Sequence, residues 1–299
     1  MTNNITNVAL AGASGNLGSH TLAALLNQRF KVTVLSRTPR EFPAGVTVRV
    51  VDFNSTESLS AAIEGQDAVI DNTFTNDVDT PLRLIDAAVA SGVYRFITSD
   101  YGLDPDLPGV HEMPVFARKR ESYRAVKEKA ERSGLTFTLI ACGAFLDWCL
   151  STGFAGIQLK TKSATMFDSG ENVVPWTTLE DAGKATAGAL LRPEETLNRP
   201  VYIHSAFLSQ AQLLQIARDA LGKEGWNITS QEMKPLLDQS MADLRAGNTT
   251  PMTFGVQIQY CMANKSLAHP WERDDNELVG VEEKTAEELQ ALFRRLATV

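Results

Sequence analysis

Short apolar runs alternate, along the first half of the chain, with longer segments whose apolar residues recur every three or four positions. The runs predict buried parallel strands and the longer segments predict helices that pack on the sheet. Strands are predicted at 5–11, 30–36, 46–51, 68–71, 93–99 and 135–140. Helices are predicted at 19–28, about 55–63, from Pro81 onward and about 116–132. This alternation predicts an α/β fold with a doubly wound parallel sheet.

The pattern changes beyond Leu150. Alternating apolar residues at 157–166 predict a hairpin, and 173–178 leads into a helix that ends near Leu191. Further predictions are a core strand at 200–204 and helices at 209–221, 233–244, 254–262 and 285–296. We therefore expect a doubly wound domain over residues 1–155 and a smaller, mostly helical lobe over residues 156–299, with about 174–206 returning to the first domain.

The turn after the first predicted strand is rich in glycine. Its GxxGxxG spacing alone also fits an ordinary βα turn, but it stands at the first of several βα junctions. Glycines there let the chain bend tightly and let a pyrophosphate approach the first helical amides, where the helix dipole favours anions. The turn therefore indicates a dinucleotide site. Its predicted contact residues are Gly12, Ser14, Gly15, Asn16, Leu17 and Gly18.

The end of the second predicted strand discriminates between two cofactors. NAD sites usually have an acid there for the ribose 2′-hydroxyl, whereas an arginine accommodates a 2′-phosphate. Here Arg37 follows the strand, and the first acid, Glu41, lies past the turn. We predict NADPH as the cofactor, the alternative being that Arg37 is a solvated surface residue.

The ends of the next three strands supply further predicted cofactor contacts. The third strand ends at Asp52, which would accept a hydrogen bond from an adenine amino group or else cap its own loop. The tip of the fourth strand should lie beneath the pyrophosphate and the nicotinamide ribose. The residues predicted on this ground are Asp52, Phe53, Asn72, Thr73, Phe74 and Ser99.

Several motifs together resemble the NmrA-like, isoflavone-reductase-like branch of the atypical short-chain dehydrogenases, particularly its fungal members. They are the glycine turn, the segments 95–102 and 143–148, the residues 113–116 before Lys119, and 275–280. The resemblance implies an NADPH-binding Rossmann domain, a small substrate lobe and reduction of a small organic molecule. It leaves the substrate open, because related proteins reduce isoflavonoids, lignans, quinones, carbonyls or imines, and a few only sense the cofactor.

The resemblance assigns the catalytic lysine to Lys119. Position 115, where extended dehydrogenases have a tyrosine, is a valine. Tyr123 and Lys127 form a competing YxxxK pattern that begins 24 residues after Ser99. Desolvation would lower the pKa of Lys119 toward neutrality and make it a usable proton donor, the alternative being a lysine that only holds the ribose hydroxyls.

Aromatic residues in the segments expected to overhang the nicotinamide predict an apolar pocket. Such a pocket favours a flat or polyketide-like substrate over a sugar or a charged metabolite, although each ring is equally compatible with plain core packing. Cys142 stands where many relatives of the family have asparagine. The predicted pocket residues are Tyr101, Phe116, Phe145, Trp148, Phe154 and Trp176.

Composition and charge narrow the range of partners. The formal net charge of −8 over 299 residues disfavours nucleic acid and anionic membrane surfaces. The three cysteines and four histidines show no zinc-like spacing, so no metal is expected. We expect a soluble cytoplasmic protein with neither signal peptide nor membrane span, present as a monomer or a homodimer, whose partner is a small-molecule substrate.

The prediction is therefore an NADPH-dependent reductase of a small, largely apolar or aromatic carbonyl, enone or imine compound, in secondary metabolism. The alternative is an NADP(H)-sensing regulatory protein without catalysis, suggested by the valine at position 115. A sensor must bind NADP⁺ and NADPH with different affinities, because only a differential affinity shifts a conformational equilibrium.

Overall fold

The computed structural model describes residues 4–74 and 77–298. The first half of the chain alternates strands with helices, and a single 3-10 turn, Pro114–Phe116, precedes its last helix. In chain order these elements are β1 (Asn7–Ala11), α1 (Asn16–Asn27), β2 (Lys31–Ser36), β3 (Thr47–Val50), α2 (Thr56–Ile63), β4 (Ala68–Asp71), α3 (Asp79–Ala90), β5 (Arg95–Ile97), α4 (Ala117–Arg132) and β6 (Thr136–Ala141).

The second half mixes short strands with most of the remaining helices. Its elements are β7 (Ala144–Phe145), α5 (Leu146–Thr152), β8 (Ile157–Gln158), β9 (Ser163–Phe167), β10 (Val174–Thr177), α6 (Leu179–Leu191), β11 (Arg199–Tyr202), β12 (Ala206–Leu208), α7 (Gln210–Leu221), β13 (Asn227–Gln231), α8 (Met233–Arg245), α9 (Pro251–Ala263), α10 (Asn276–Val279) and α11 (Ala286–Thr298). Within the described ranges, no helix is long and apolar enough to cross a bilayer.

Seven parallel strands form the central sheet in the order β11-β6-β5-β4-β1-β2-β3. The chain runs outward from β1 to β3, returns to β4 on the other side of β1, and continues outward from there. The predicted doubly wound sheet is confirmed. In such sheets ligands bind where the strand order reverses, here between the carboxyl ends of β1 and β4.

Several short strands of the second half were not predicted from the sequence. The predicted hairpin is present as the antiparallel pair β8 and β9, but β13 joins it in parallel, and β12, β10 and β7 form another small sheet. Strands of two to five residues, one of them exposed along its whole length, have no hydrophobic alternation that a sequence pattern could register.

Apolar side chains are buried in three clusters. Two lie on the opposite faces of the central sheet, and the third fills the space between α5, α7, α11 and the small sheet that contains β10. Representative members are Leu25 and Ala185 on one face of the sheet, Leu84 and Val126 on the other, and Trp176, Leu213 and Phe293 in the third cluster.

Helices α1 and α6 pack closely on one face of the sheet because α6 presents a glycine to α1. A Cβ at Gly183 would lie 2.7 Å from the backbone carbon of His20 and 2.9 Å from the nitrogen of Thr21. Backbone atoms cannot rotate away from such a contact, so a larger residue forces the two helices apart.

The first prediction concerns this helix contact. We expect Gly183→Ala to lower the free energy of unfolding by about 1 to 3 kcal/mol, as other overpacking substitutions do. Denaturant unfolding measures the change. Gly134→Ala is the matched control, since a Cβ at Gly134 meets nothing within 4 Å. If Gly183→Ala and Gly134→Ala have the same free energy of unfolding, the close packing of α1 on α6 at Gly183 is wrong.

Candidate active site

The glycine turn after β1 brings backbone against backbone at the point where the strand order reverses. Gly12 has a φ of +82°, and a Cβ there would lie 2.3 Å from the carbonyl oxygen of Asn72. A Cβ at Gly18 would lie 2.0 Å from the carbonyl oxygen of Gly12. Neither position therefore accepts a side chain, and the beginning of α1 is held against the end of β4.

The N-terminus of α1 is open to an anion. Gly15 is its N-cap and supplies no side chain to bond the first amides, and the first turn contains no acidic residue. Ser14 and Asn16 beside it are exposed, whereas Leu17 is buried in the core below. Amides left without a side-chain acceptor at a helix N-terminus, next to glycines, fit a pyrophosphate.

The ends of β2 and β3 define the region expected to bind the adenosine. Arg37 is exposed, and its guanidinium has no partner among residues 4–74 and 77–298, so it is available to a phosphate. The Asp52 carboxylate accepts a hydrogen bond from the amide of Asn54 at 2.9 Å, which caps its own loop. Phe53 is half-buried, and its carbonyl accepts from Arg83 at 2.7 Å.

Side-chain hydrogen bonds hold Asn72 and Thr73, the two residues that follow β4. The Asn72 amide nitrogen donates to the Thr21 hydroxyl at 2.8 Å, which ties β4 to α1. The backbone amide and hydroxyl of Thr73 both donate to one oxygen of Asp71, at 2.8 and 2.6 Å. The side chain of Phe74 is 95% exposed at this edge of the sheet.

Arg118 joins the ends of β4 and β5, a role that the sequence analysis missed. Its guanidinium donates to Ser99 at 2.6 Å and to the Thr73 hydroxyl at 2.9 Å, and lies 3.4 Å from the buried Asp71 carboxylate. Two features of the sequence could have indicated this role: Asp71 ends an apolar strand, and Arg118 stands next to Lys119. Arg118 therefore links Thr73, after β4, to Ser99, after β5.

Lys119 points to the carboxyl edge of the sheet from the first turn of α4. Its amine donates to the carbonyl of Tyr101 at 2.6 Å and lies 5.6 Å from the centre of the Phe116 ring. Burial lowers the pKa of the ammonium, and the negative charge of Asp100 opposes that shift. A Cβ at Gly102 would lie 2.7 Å from the amine, so the glycine leaves room for it.

Tyr123, the competing candidate, has its hydroxyl engaged elsewhere. The phenol donates to Asp106 at 3.3 Å, in the loop that follows β5. The ring packs edge-on against Phe137, and the amine of Lys127 lies 4.8 Å from its centre. Burial raises the pKa of the phenol, which disfavours a phenolate. The Tyr123 hydroxyl is thus bonded to a carboxylate, whereas the Lys119 amine is bonded to the Tyr101 carbonyl, close to the end of β5.

Three of the predicted pocket residues are packed into the interior. The Tyr101 hydroxyl shares a hydrogen bond with Thr186 in α6 at 3.0 Å, so this residue offers its backbone carbonyl to the site. The Trp176 indole donates to the carbonyl of Leu208 at 2.9 Å and is 2% exposed. Phe116 is buried beneath the amine of Lys119.

The other three predicted pocket residues lie at a partly open surface. Phe145, Trp148 and Phe154 are each half-buried, and the rings of Trp148 and Phe154 lie 5.5 Å apart. Gly255 in α9 faces this pair, because a Cβ there would lie 3.3 Å from the Phe154 ring. Trp148 and Phe154 therefore pack together, with Phe154 next to α9, and these two residues and Phe145 are called the apolar wall below.

Comparison with known proteins agrees with this geometry. The model of the NmrA-like family matches residues 5–249. The chain belongs to the NmrA-like family. "Oxidoreductase poxI" from Penicillium oxalicum is 30% identical over 96% of this chain and 93% of its own length. "Oxidoreductase aprR" from Aspergillus flavus is 35% identical over 74% of this chain and 75% of its own length.

Among solved structures, this NmrA-like protein is similar to the leucoanthocyanidin reductase of Vitis vinifera, determined as a binary complex with NADPH. The TM-score is 0.78 at 19% identity, over 97% of this chain and 99% of that one. At this identity the similarity establishes a shared fold across nearly the whole chain.

A prediction follows for Arg118. We expect Arg118→Met to lower the free energy of unfolding by about 2 kcal/mol, because it leaves the buried Asp71 without its cation. Arg124→Met is the control on the same helix, since Arg124 pairs with Glu121 at the surface, and it should change stability by less than about 0.5 kcal/mol. Denaturant unfolding of both variants measures this, and an unchanged stability in Arg118→Met would contradict the bridging role.

Proposed function

We propose that the protein is an NADPH-dependent reductase of a small, largely apolar carbonyl, enone or imine compound, in which Lys119 is the proton donor. The observation that carries the proposal is the position of the Lys119 amine, 2.6 Å from the Tyr101 carbonyl, at the same sheet edge as the open glycine turn. The proposal includes a cofactor domain over residues 1–155 and a substrate lobe over residues 156–299, with about 174–206 returning to the cofactor domain.

The oxidoreductase class and the cofactor rest on three kinds of support. Relatives that match most of the chain are named oxidoreductases, and a structural neighbour that covers nearly all of it binds NADPH. The open amides of α1 fit a pyrophosphate, and the unpaired Arg37 fits a 2′-phosphate. When bound, NADPH supplies the hydride. The residues proposed to hold it are those of the glycine turn with Arg37, Asp52, Phe53, Asn72, Thr73, Phe74, Ser99 and Lys119.

Lys119 supplies the acid chemistry that a reduction of this kind needs. Addition of hydride to a polarised double bond leaves negative charge on a heteroatom, which an ammonium stabilises and then protonates. Burial lowers the ammonium pKa, which makes the proton easier to transfer. The apolar wall of Phe145, Trp148 and Phe154 favours a flat, largely apolar substrate.

The central prediction is that Lys119→Ala abolishes turnover without abolishing cofactor binding. We expect kcat/KM to fall by about 10²- to 10⁴-fold, the usual contribution of a general acid. The measurement is the loss of NADPH absorbance against a panel of aryl ketones, enones, quinones and cyclic imines, with calorimetry for NADPH binding. Lys129→Ala, on the surface of the same helix, is the control.

Each outcome of that experiment distinguishes between the competing functions. If Lys119→Ala retains turnover and Tyr123→Phe loses it, the proton donor is Tyr123 and not Lys119. The NADP(H)-sensing function would be favoured by a different result: the wild type binds NADPH tightly, binds NADP⁺ with a different affinity, and turns over none of the substrates in the panel.

The pH dependence follows from the direction of the pKa shift. Lys119 donates only when protonated, so kcat/KM should be maximal below its pKa and fall as the pH rises through it. Since burial lowers this pKa, we expect the fall to occur below the ordinary lysine value of 10.5. Lys119→Arg should lose this fall, because a guanidinium stays protonated. A fall that persists in Lys119→Arg would assign it to another group.

Cofactor selectivity gives a further prediction. We expect Arg37→Ala to weaken NADPH binding by about tenfold or more, the loss of one charge-assisted hydrogen bond, with little change for NADH. Arg40→Ala is the matched control, three residues further along the same exposed turn. Calorimetric titration with both nucleotides measures the ratio of affinities, and an unchanged ratio in Arg37→Ala would make Arg37 a surface residue only.

A further inference from the structure

We propose that α9 holds the apolar wall and the helix that carries Lys119 at a fixed separation, with Gln257 and Gln259 as its positioning residues. The inference rests on the proposed function, because the wall would hold the substrate that Lys119 protonates. It is carried by two buried side-chain amides of α9, one bonded to the turn before α4 and the other bonded to Phe154.

The buried face of α9 is polar. A helix that packs on a core normally turns apolar residues inward and polar residues outward. In α9, however, Gln257 is fully buried and Gln259 is 9% exposed, whereas Met252 is 59% exposed. Burying an amide costs free energy unless the amide is hydrogen-bonded, so the positions of these two glutamines depend on the groups that they bind.

Gln257 binds the turn that leads into α4. Its Oε1 accepts a hydrogen bond from the amide of Val115 at 2.9 Å, and its Nε2 donates to the Ser240 hydroxyl at 3.1 Å and to the Thr253 carbonyl at 3.3 Å. The orientation of the amide is fixed, because a donor lies on one side of it and two acceptors lie on the other. Gln257 therefore joins α8 and α9 to the turn before α4.

Val115 is the link between Gln257 and Lys119. The next residue, Phe116, is 5% exposed, and the Lys119 amine lies 5.6 Å from the centre of its ring. The same amine donates to the Tyr101 carbonyl at 2.6 Å. Because the 3-10 turn continues directly into α4, a shift of the turn moves Phe116 and the first turn of α4 together. The position of the amine therefore depends on the bond between Gln257 and Val115.

Gln259 binds the apolar wall from the same helix. Its Nε2 donates to the Phe154 carbonyl at 2.9 Å. The Phe154 ring also lies against α9, because a Cβ at Gly255 would be 3.3 Å from it, and the Trp148 ring packs on it with 5.5 Å between the centres. Phe154 is thus held to α9 through both its backbone and its ring.

The spacing of the two glutamines places them on different sides of α9. Consecutive residues of a helix are about 100° apart around its axis and about 1.5 Å apart along it, so positions 257 and 259 point in nearly opposite directions at a similar height. One side chain binds the turn before α4, and the other binds Phe154. The helix therefore acts as a spacer between the wall and the proton donor, and reaction rates are sensitive to such spacing.

Two measurements test the Gln257 contact without cofactor or turnover. We expect Gln257→Met to raise the hydrogen-exchange rate of the Val115 amide about tenfold, because this amide loses its acceptor. Competitive acetylation of Lys119, read by peptide mass spectrometry across a pH series, should move to higher pH. The reason is that burial lowers the pKa of this amine and a displaced amine is less buried.

Gln210→Met is the matched control. Gln210 in α7 is also buried and bonds three backbone groups, but these lie in the segment 155–167. The control should leave both measurements unchanged. If Gln257→Met does not fold, Gln257→Asn takes its place, because it withdraws the amide from Val115 by one methylene. Unchanged exchange at Val115, or an unshifted labelling curve, overturns the role of Gln257.

Steady-state kinetics separate the two ends of α9. We expect Gln257→Met to lower kcat by about tenfold or more with KM nearly unchanged, because a misplaced proton donor slows the chemical step. We expect Gln259→Met to raise KM with a smaller change in kcat, because it loosens the wall that would hold the substrate. If both variants change kcat and KM alike, α9 only stabilises the fold and the proposal is overturned.

Failure of this proposal is distinguishable from failure of the reductase function. If the wild type turns over substrate and Gln257→Met has the same kcat, the reductase is retained and the positioning role is overturned. If the wild type turns over no substrate, the reductase is overturned, and the exchange of Val115 and the labelling of Lys119 still decide whether Gln257 positions the amine.

Discussion

The structure depends on the contact between backbone atoms where the strand order of the sheet reverses. The turn after β1, the end of β4 and the first turn of α1 approach so closely that Gly12 and Gly18 have no room for a Cβ. The contact sets the direction of α1 and keeps its first amides at the edge of the sheet, next to the loops after β4 and β5. The proposed pyrophosphate site depends on that arrangement.

Two adjacent basic residues, Arg118 and Lys119, make different kinds of contact at this edge of the sheet. Arg118 is used structurally, because its guanidinium satisfies Thr73, Ser99 and the buried Asp71 carboxylate at once. Lys119, one residue further along α4, leaves its amine on a single carbonyl at 2.6 Å. The fork of an arginine suits a fixed polar junction, whereas the single ammonium of a lysine suits proton transfer. The same helix turn thus supplies both a fixed polar junction and the proposed proton donor.

The second half of the chain contacts the turn before this helix through a buried amide. The Gln257 side chain, in α9, accepts from the amide of Val115 at 2.9 Å and donates to Ser240 in α8. The 3-10 turn that precedes α4 is therefore fixed by a contact from α9, while the C-terminal segment is tied to the sheet by Arg199 and Asp275 at 2.8 Å. The helix turn that carries Lys119 consequently follows a segment that is anchored by a residue distant in sequence.

The sequence by itself predicted the order of strands and helices in the first half of the chain, the position of the glycine turn and the position of Lys119 at the beginning of a helix. Each of these depends on local periodicity or on a short motif. The tertiary structure decided which side chains share a space. It buries Arg95, an ordinary charged residue in its strand pattern, against the hydroxyls of Thr138 in β6 and Thr196 in the turn after α6. It also turns the Tyr101 hydroxyl toward α6. A pair of residues far apart in sequence leaves no periodic pattern, so the contact of Arg118 with Asp71, 47 residues away, could be found only in the folded chain.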